Sequence, residues 1–235
     1  MNPKAFQFKH FTVRQGDTVH PVGTDGVLLG AWVLPGHAHR ILDIGTGTGL
    51  IALMLAQKTT NARIFGLEID PESANLARFN FENAPWQDRL SVLEAAAQAR
   101  LEQPVEPFDL IVSNPPFFTE TTLSPDAHRQ LARNTASLPP AVLLQLAETH
   151  LTKNGRFCLI VPSKNSQMHQ ELGACMGLYC TRITTVLARP DRVGERHLLQ
   201  FERNPRFFKM DEIAIRNTDG TYSEDYQILT GDFYL

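Results

Sequence analysis

Short apolar runs alternate along the chain with longer segments whose apolar positions recur at helical spacing. RILDIG (40–45), ARIFGLEID (62–70), LSVLE (90–94), FDLIVSN (108–114) and GRFCLIVP (155–162) predict five strands. GLIALMLAQK (49–58), PESANLARFNFENA (71–84) and the stretches 138–151 and 164–175 predict helices, with Pro71 suited to a helix start. Strands that are apolar almost throughout have no solvent face, so their sheet is expected to be parallel and covered on both sides. The pattern then changes. TRITTVLARP (181–190) and ERHLLQFERN (195–204) read as two strands joined by DRVG, too short a connection for anything but an antiparallel pair. The expectation is an α/β domain over residues 23–235, with residues 1–22 as a short N-terminal appendage. Its sheet is expected to have seven strands, mostly parallel, with helices on both faces and a C-terminal antiparallel hairpin.

At 235 residues and 43% apolar positions, the chain is long enough to bury one sizeable core. No apolar run reaches bilayer length, so no membrane association is expected. The opening MNPKAFQFKHFTVRQ lacks a secretory apolar centre, which makes a cytoplasmic location the expectation. Cys158, Cys175 and Cys180 are odd in number and lack C-x-x-C spacing, so they read as reduced thiols, with no metal site. A monomer is the favoured state. The net charge of −3 argues against a protein that coats nucleic acid. The charge is uneven: residues 1–16 carry +3, and residues 182–209 carry seven Lys or Arg against three acids. Local basic patches and ordinary surface charge both fit these counts.

DIGTGTG places Asp43, Gly45, Gly47 and Gly49 at a strand-to-helix turn. Glycines there let the backbone take positive φ and let a ligand approach closely. A dinucleotide loop would want Gly or Ala further on, where Leu50 stands. The spacing G-x-G-x-G behind an acid instead resembles the S-adenosylmethionine (SAM) loop. Glu68, at the end of the second strand, can accept both hydroxyls of a ribose lying over the strand ends. Asp70 fits the cap of the next helix better than Glu68 does. Asp43 can help to hold the methionine ammonium, directly or through water.

SNPPFF (113–118) ends the fourth strand with two prolines that have no N–H to pair. At the carboxyl end of a parallel strand it faces the crevice where such sheets bind ligands. An exocyclic adenine amine is a poor nucleophile, because its lone pair is delocalised into the ring. The side-chain carbonyl of Asn114 and the backbone carbonyl of Pro115 can each accept one of its hydrogens. That lets the nitrogen pyramidalise and stabilises its developing charge. Pro115 and Pro116 stiffen the loop, and Phe117 can stack on an extruded base. A proline turn with Phe117 and Phe118 in the core is the bland reading of the same residues.

Together GTDGVLLGAW (23–32), LDIGTGTG (42–49), SNPPFF and the closing YSEDYQILTGDFYL (222–235) resemble the bacterial tRNA adenine-N6 methyltransferases. That family modifies the adenine beside the anticodon of one valine tRNA, and the resemblance spans nearly the whole chain. It implies the class I, Rossmann-like methyltransferase fold, SAM as cofactor with S-adenosylhomocysteine as product, and tRNA as partner. It also implies a cofactor site at Thr24, Asp25, Asp43, Gly45, Gly47, Gly49, Glu68, Ile69, Glu94, Ala96 and Asn114. The target base is expected at Asn114, Pro115, Pro116 and Phe117. Two departures stand out: Phe117 replaces the usual tyrosine, and LEAAAQ (93–98) offers Glu94 and then Ala95 to Ala97 where an aspartate is expected to bind the cofactor's adenine amine. Backbone groups near Ala96 could replace part of that contact. Arg129 and Arg133 are candidates for RNA phosphate contacts, or members of a solvated helix face. The alternatives are an rRNA guanine-N2 or adenine-N6 methyltransferase, a protein-glutamine N5 methyltransferase, and a non-catalytic SAM-binding scaffold.

Overall fold

The structure, a computed structural model, describes residues 5–16, 22–101, 105–116, 138–204 and 207–235. The five expected parallel strands are β3 (Arg40–Ile44), β4 (Arg63–Glu68), β5 (Leu90–Glu94), β6 (Phe108–Ser113) and β7 (Leu151–Pro162). Between and after them lie α2 (Leu50–Lys58), α3 (Pro71–Glu82), α4 (Ala97–Leu101), α5 (Pro140–His150) and α6 (Ser166–Cys175). The expected hairpin is β8 (Tyr179–Leu187) and β9 (Arg196–Glu202), paired antiparallel. It inserts β9 between β7 and β8, so β9 alone runs against the other strands. This is the mostly parallel, doubly covered sheet that the apolar pattern predicted.

The strand count differs from expectation. The sheet has eight strands in the order β10-β8-β9-β7-β6-β3-β4-β5, because β10 (Lys209–Ala214) adds to its edge parallel to β8. An edge strand keeps one side in water, and KMDEIA buries only Ile213, so no apolar run announced it. A polar network fastens it. Asp211 pairs with Arg182 at 3.4 Å and with Thr184, whose hydroxyl accepts the Trp32 indole N–H at 2.8 Å. The Arg182 guanidinium lies 4.3 Å above that indole.

Other elements had no sequence prediction. Helix α1 (Thr24–Trp32) buries every residue from Gly26 onward, so it lacks the polar face that marks a surface helix. The Lys58 ammonium meets its last carbonyls, at 2.6 Å from Ala31 O and 2.5 Å from Val33 O. At the C-terminus, α7 (Glu224–Thr230) starts on a Ser223 cap that accepts from the Tyr226 amide. Strand β7 begins at Leu151, inside the stretch expected to be helix.

Successive strand residues face opposite sides of the sheet, and both sides are apolar. Ile41, Leu110, Val112 and Ile160 join a cluster with Leu28, Leu53 and Met54 on one face. Leu42, Ile44, Ile111 and Leu159 join Leu143, Leu146 and Phe157 on the other. The first cluster also takes in an N-terminal hairpin, β1 (Ala5–Gln7) with β2 (Thr12–Arg14), through Phe8, Phe11 and Val13. Phe8 stacks between Phe11, at 4.7 Å, and Tyr234, at 5.9 Å, and the Lys9 amide donates to Phe233 O. The two chain ends thus close over the same face of the sheet. Phe8→Ala is expected to cost about 3–5 kcal/mol in urea unfolding of the full chain. An unchanged midpoint would mean that the hairpin adds nothing to the fold.

Candidate active site

A cavity of about 710 Å³ opens at the carboxyl ends of β3, β4, β5 and β6, walled on one side by the start of α1. Open parallel sheets bind ligands there, because helix N-termini and strand ends turn their amides toward one crevice. Of the residues expected from sequence, Thr24, Asp25, Gly45, Gly47, Glu68, Ile69, Asn114, Pro115 and Pro116 all line it. Asn114 and Leu50, 64 positions apart, are thereby brought to one cavity.

The loop between β3 and α2 folds back over β4. Gly45 and Thr46 donate their amides to Leu67 O at 2.8 and 3.1 Å. Gly45, Gly47 and Gly49 have φ of 70°, 55° and 82°, a left-handed region that side chains disfavour. At Gly49 space adds a second constraint, since a Cβ there would stand 2.5 Å from the Phe81 ring. Phe81 and the neighbouring Asn80 come from α3, and Asn80 is a residue that sequence reasoning missed. Its buried amide donates to Thr48 O at 2.8 Å and brackets the backbone of Arg14, accepting from N and donating to O. One side chain therefore fixes the glycine loop to the N-terminal hairpin.

Glu68 is buried at the end of β4 with its carboxylate under the loop. One oxygen accepts the Gly47 amide at 2.9 Å, and the other accepts the Ile69 and Asp70 amides at 2.9 and 3.0 Å. Asp70 is the α3 cap, accepting from the Ser73 amide, as its position suggested. Asp43 is fully buried beneath the loop and does not itself line the cavity. One of its oxygens accepts the Thr46 hydroxyl at 2.7 Å, and the other has no hydrogen-bond partner. Burial pushes its carboxyl up to about 7. The Thr46 hydroxyl and the nearby Ala52 amide in the first turn of α2 oppose that rise, and the Glu68 charge adds to it.

Asn114 follows β6, whose Ser113 hydroxyl donates to Ile44 O at 2.9 Å and ties β6 to β3. The Asn114 amide nitrogen approaches Gly26 on α1, where a Cβ would lie 4.0 Å from it and 3.0 Å from the Leu50 side chain. Small size at 26 is what lets α1 close against Leu50 of α2, while Asn114 stays at ordinary contact distance. Asp25 also forms an ion pair with Arg196 at 2.9 Å, joining α1 to the start of β9.

Other expected residues lie elsewhere. Gly49 supports the loop from behind without lining the cavity. Glu94 is held outside it by Arg78 at 2.6 Å. Ala96 is not on the wall, although Ala95, Ala97 and Gln98 are. Phe117, Arg129 and Arg133 fall outside the described residues. The basic stretch 182–209 proves to be largely neutralised in place. Arg182 and Lys209 pair with Asp211, Arg189 with Asp191, Arg196 with Asp25 and Arg203 with Glu148. Among the described residues no helix is long and apolar enough to cross a membrane.

The residues present fit SAM. A buried carboxylate offers acceptors to a ribose, a partnerless buried oxygen lies under the glycine loop, and the cavity has room for a nucleoside. Comparison with known proteins agrees. Residues 24–185 match the family model of the methyltransferase small domain. A relative in Flavobacterium psychrophilum, a tRNA1(Val) (adenine(37)-N6)-methyltransferase, is 43% identical, covering 98% of this chain and 99% of its own. One from Haemophilus influenzae with the same name is 38% identical, covering 98% of each chain. The chain belongs to the tRNA1(Val) (adenine(37)-N6)-methyltransferase family. Solved structures share its fold at lower identity. An Agrobacterium tumefaciens protein described as a predicted O-methyltransferase has a TM-score of 0.70 at 22% identity, covering 89% of this chain and 96% of that one. A Thermus thermophilus 16S rRNA N2 G1207 methyltransferase has a TM-score of 0.56 at 19% identity, covering 86% of this chain but 50% of that one. Family membership makes the chain a SAM-dependent methyltransferase, and the scaffold reading falls away.

The Asp43 carboxyl gives a pH signature. The native protein holds a proton on it up to about 7, whereas the unfolded chain releases that proton above 3.8. The stability it contributes is complete at the lower pH and is lost as pH rises through about 7. Asp43→Asn keeps the neutral form, so in the ligand-free protein it should gain in melting temperature relative to the parent between about pH 5 and about pH 8. Parallel melting curves across that range would contradict the assignment.

Proposed function

We propose that this chain transfers a methyl group from SAM to the N6 amine of adenine 37, beside the anticodon of tRNA1(Val), as its relatives' names describe for them. The observation that carries this reading is that Asn114 and Pro115 share one cavity with the glycine loop and Glu68. An amine clamp beside a nucleoside site serves transfer to nitrogen, and a passive SAM binder has no use for it. Residues 23–235 form the methyltransferase domain in this reading, with 1–22 as an N-terminal extension, in a cytoplasmic monomer.

When bound, SAM supplies an electrophilic methyl on a cationic sulfur. Glu68 accepts the ribose hydroxyls, with Ile69 against the nucleoside and Thr24 and Asp25 on the facing wall. Gly45 and Gly47 leave the loop backbone bare for close approach, and Asp43, buried beneath the loop, helps to hold the methionine ammonium through water. At the substrate, the Asn114 side-chain carbonyl and the Pro115 carbonyl each accept one N6 hydrogen. The nitrogen lone pair then leaves conjugation with the ring and is aimed by two fixed acceptors. Positive charge that develops on N6 is stabilised by the same two oxygens, and the excess proton passes to water. Pro116 stiffens the turn. Phe117 stacks on the base, while Arg129 and Arg133 hold phosphates. These last three roles come from the sequence alone.

Single-turnover transfer to tRNA1(Val), with the digested product read by mass spectrometry, tests this. The product is expected to be N6-methyladenosine at the position beside the anticodon. Asn114→Ala should slow the reaction by about 100-fold or more with S-adenosylhomocysteine affinity unchanged. Transfer by Asn114→Ala at the parent rate would sink the clamp. Equal methylation of an rRNA fragment or of protein would sink the substrate.

A further inference from the structure

We infer that Gln98 recognises the adenine of the methyl donor, in the place of the acid that the loop after β5 lacks. The inference rests on the proposed function for the placement of the donor. Across the sheet the order is β6, β3, β4, β5, which sets Asn114 at one end of the cavity, Glu68 further along and Gln98 at the other end. A nucleoside with its ribose on Glu68 and its sulfur directed at Asn114 must send its base toward β5.

That end of the cavity is walled by Leu67, Ile69, Ala95 and Ala97. Such a wall can cover the faces of a ring but cannot tell one purine from another. Of the nearby acids, Glu94 lies outside the cavity against Arg78, and Asp70 stands on the wall at the α3 cap with one oxygen held by the amide and the hydroxyl of Ser73. Gln98 stands on the wall in the first turn of α4, exposed, with no hydrogen bond to another described residue. Its carboxamide presents an acceptor and a donor side by side. Adenine presents the complement, an N6 donor next to a ring-nitrogen acceptor, and a carboxamide meets that pair with two parallel hydrogen bonds. A carboxylate can satisfy only the N6 half. The substitution of an acid by alanines in LEAAAQ (93–98) is thus compensated two residues further on from Ala96.

The test is calorimetry of the full chain with S-adenosylhomocysteine and with its 6-deamino purine analogue, in which the N6 amine is replaced by hydrogen and N1 stays an acceptor. The parent is expected to prefer the adenosyl ligand by about tenfold. Gln98→Ala should weaken the adenosyl ligand by about tenfold or more, weaken the purine analogue less and reduce the preference to within about twofold. Partial misfolding lowers both affinities and leaves their ratio alone, so the ratio is the readout. A Gln98→Ala protein with the parent's ratio, or a parent with no preference, would overturn the assignment and leave recognition to the backbone. Glu68→Ala separates the two levels. If it binds S-adenosylhomocysteine at the parent strength, the donor placement itself is wrong. If it binds weakly while Gln98→Ala keeps the ratio, only the role of Gln98 is wrong.

Discussion

The Glu68 carboxylate is the hinge of the site, because three backbone amides from two segments converge on it. A buried carboxylate needs such donors, since an unsolvated charge without them is costly. The Gly47 contact draws the glycine loop over β4, and the Ile69 and Asp70 contacts fix the turn into α3. Once those two segments are set, the cavity has its floor. A carboxylate has acceptor capacity beyond three donors, so a ribose can join the amides or displace one of them.

The remaining walls are held by contacts that are remote in sequence. Asn80 clamps the glycine loop to the hairpin strand β2, and the hairpin is packed on the C-terminal Tyr234. Helix α1 is held at its end by Lys58, at its indole by Thr184 and at its start by the Asp25–Arg196 pair. Strand β9 and the polar network of β10 therefore reach the cavity through α1. The C-terminal third of the chain contributes position to the site more than lining. Its basic residues pair mostly with acids of the same fold, so their charge is a structural resource before it is an RNA-binding one.

The sheet and its covering helices were legible because both of its faces are apolar. Adjacent apolar residues of β3 and β6 enter opposite clusters, and neither face could be left in water. What was not legible lacks that signature. Helix α1 is buried all round, β10 is buried at one residue, and β1 and β2 have three residues each. Within the site, spacing identified the residues that the backbone brings to the strand ends, including Glu68 and Asn114. It could not foresee that the Glu94 side chain turns to Arg78, which depends on where α3 packs. Nor could it find Asn80, whose partners lie 32 and 66 positions away. Gln98 was hidden for a different reason: a lone glutamine in an alanine-rich stretch carries no pattern until the cavity places it.

The central claim is that the Glu68 carboxylate both builds the cavity floor and receives the donor's ribose. Nuclear magnetic resonance of the Gly47, Ile69 and Asp70 amides during titration with S-adenosylhomocysteine addresses it directly. Hydrogen bonding to hydroxyls changes the carboxylate that these amides share. Their three resonances should therefore shift together along one binding curve, and the response should vanish in Glu68→Ala. Saturation of the protein with ligand while all three resonances stay in place would contradict the account.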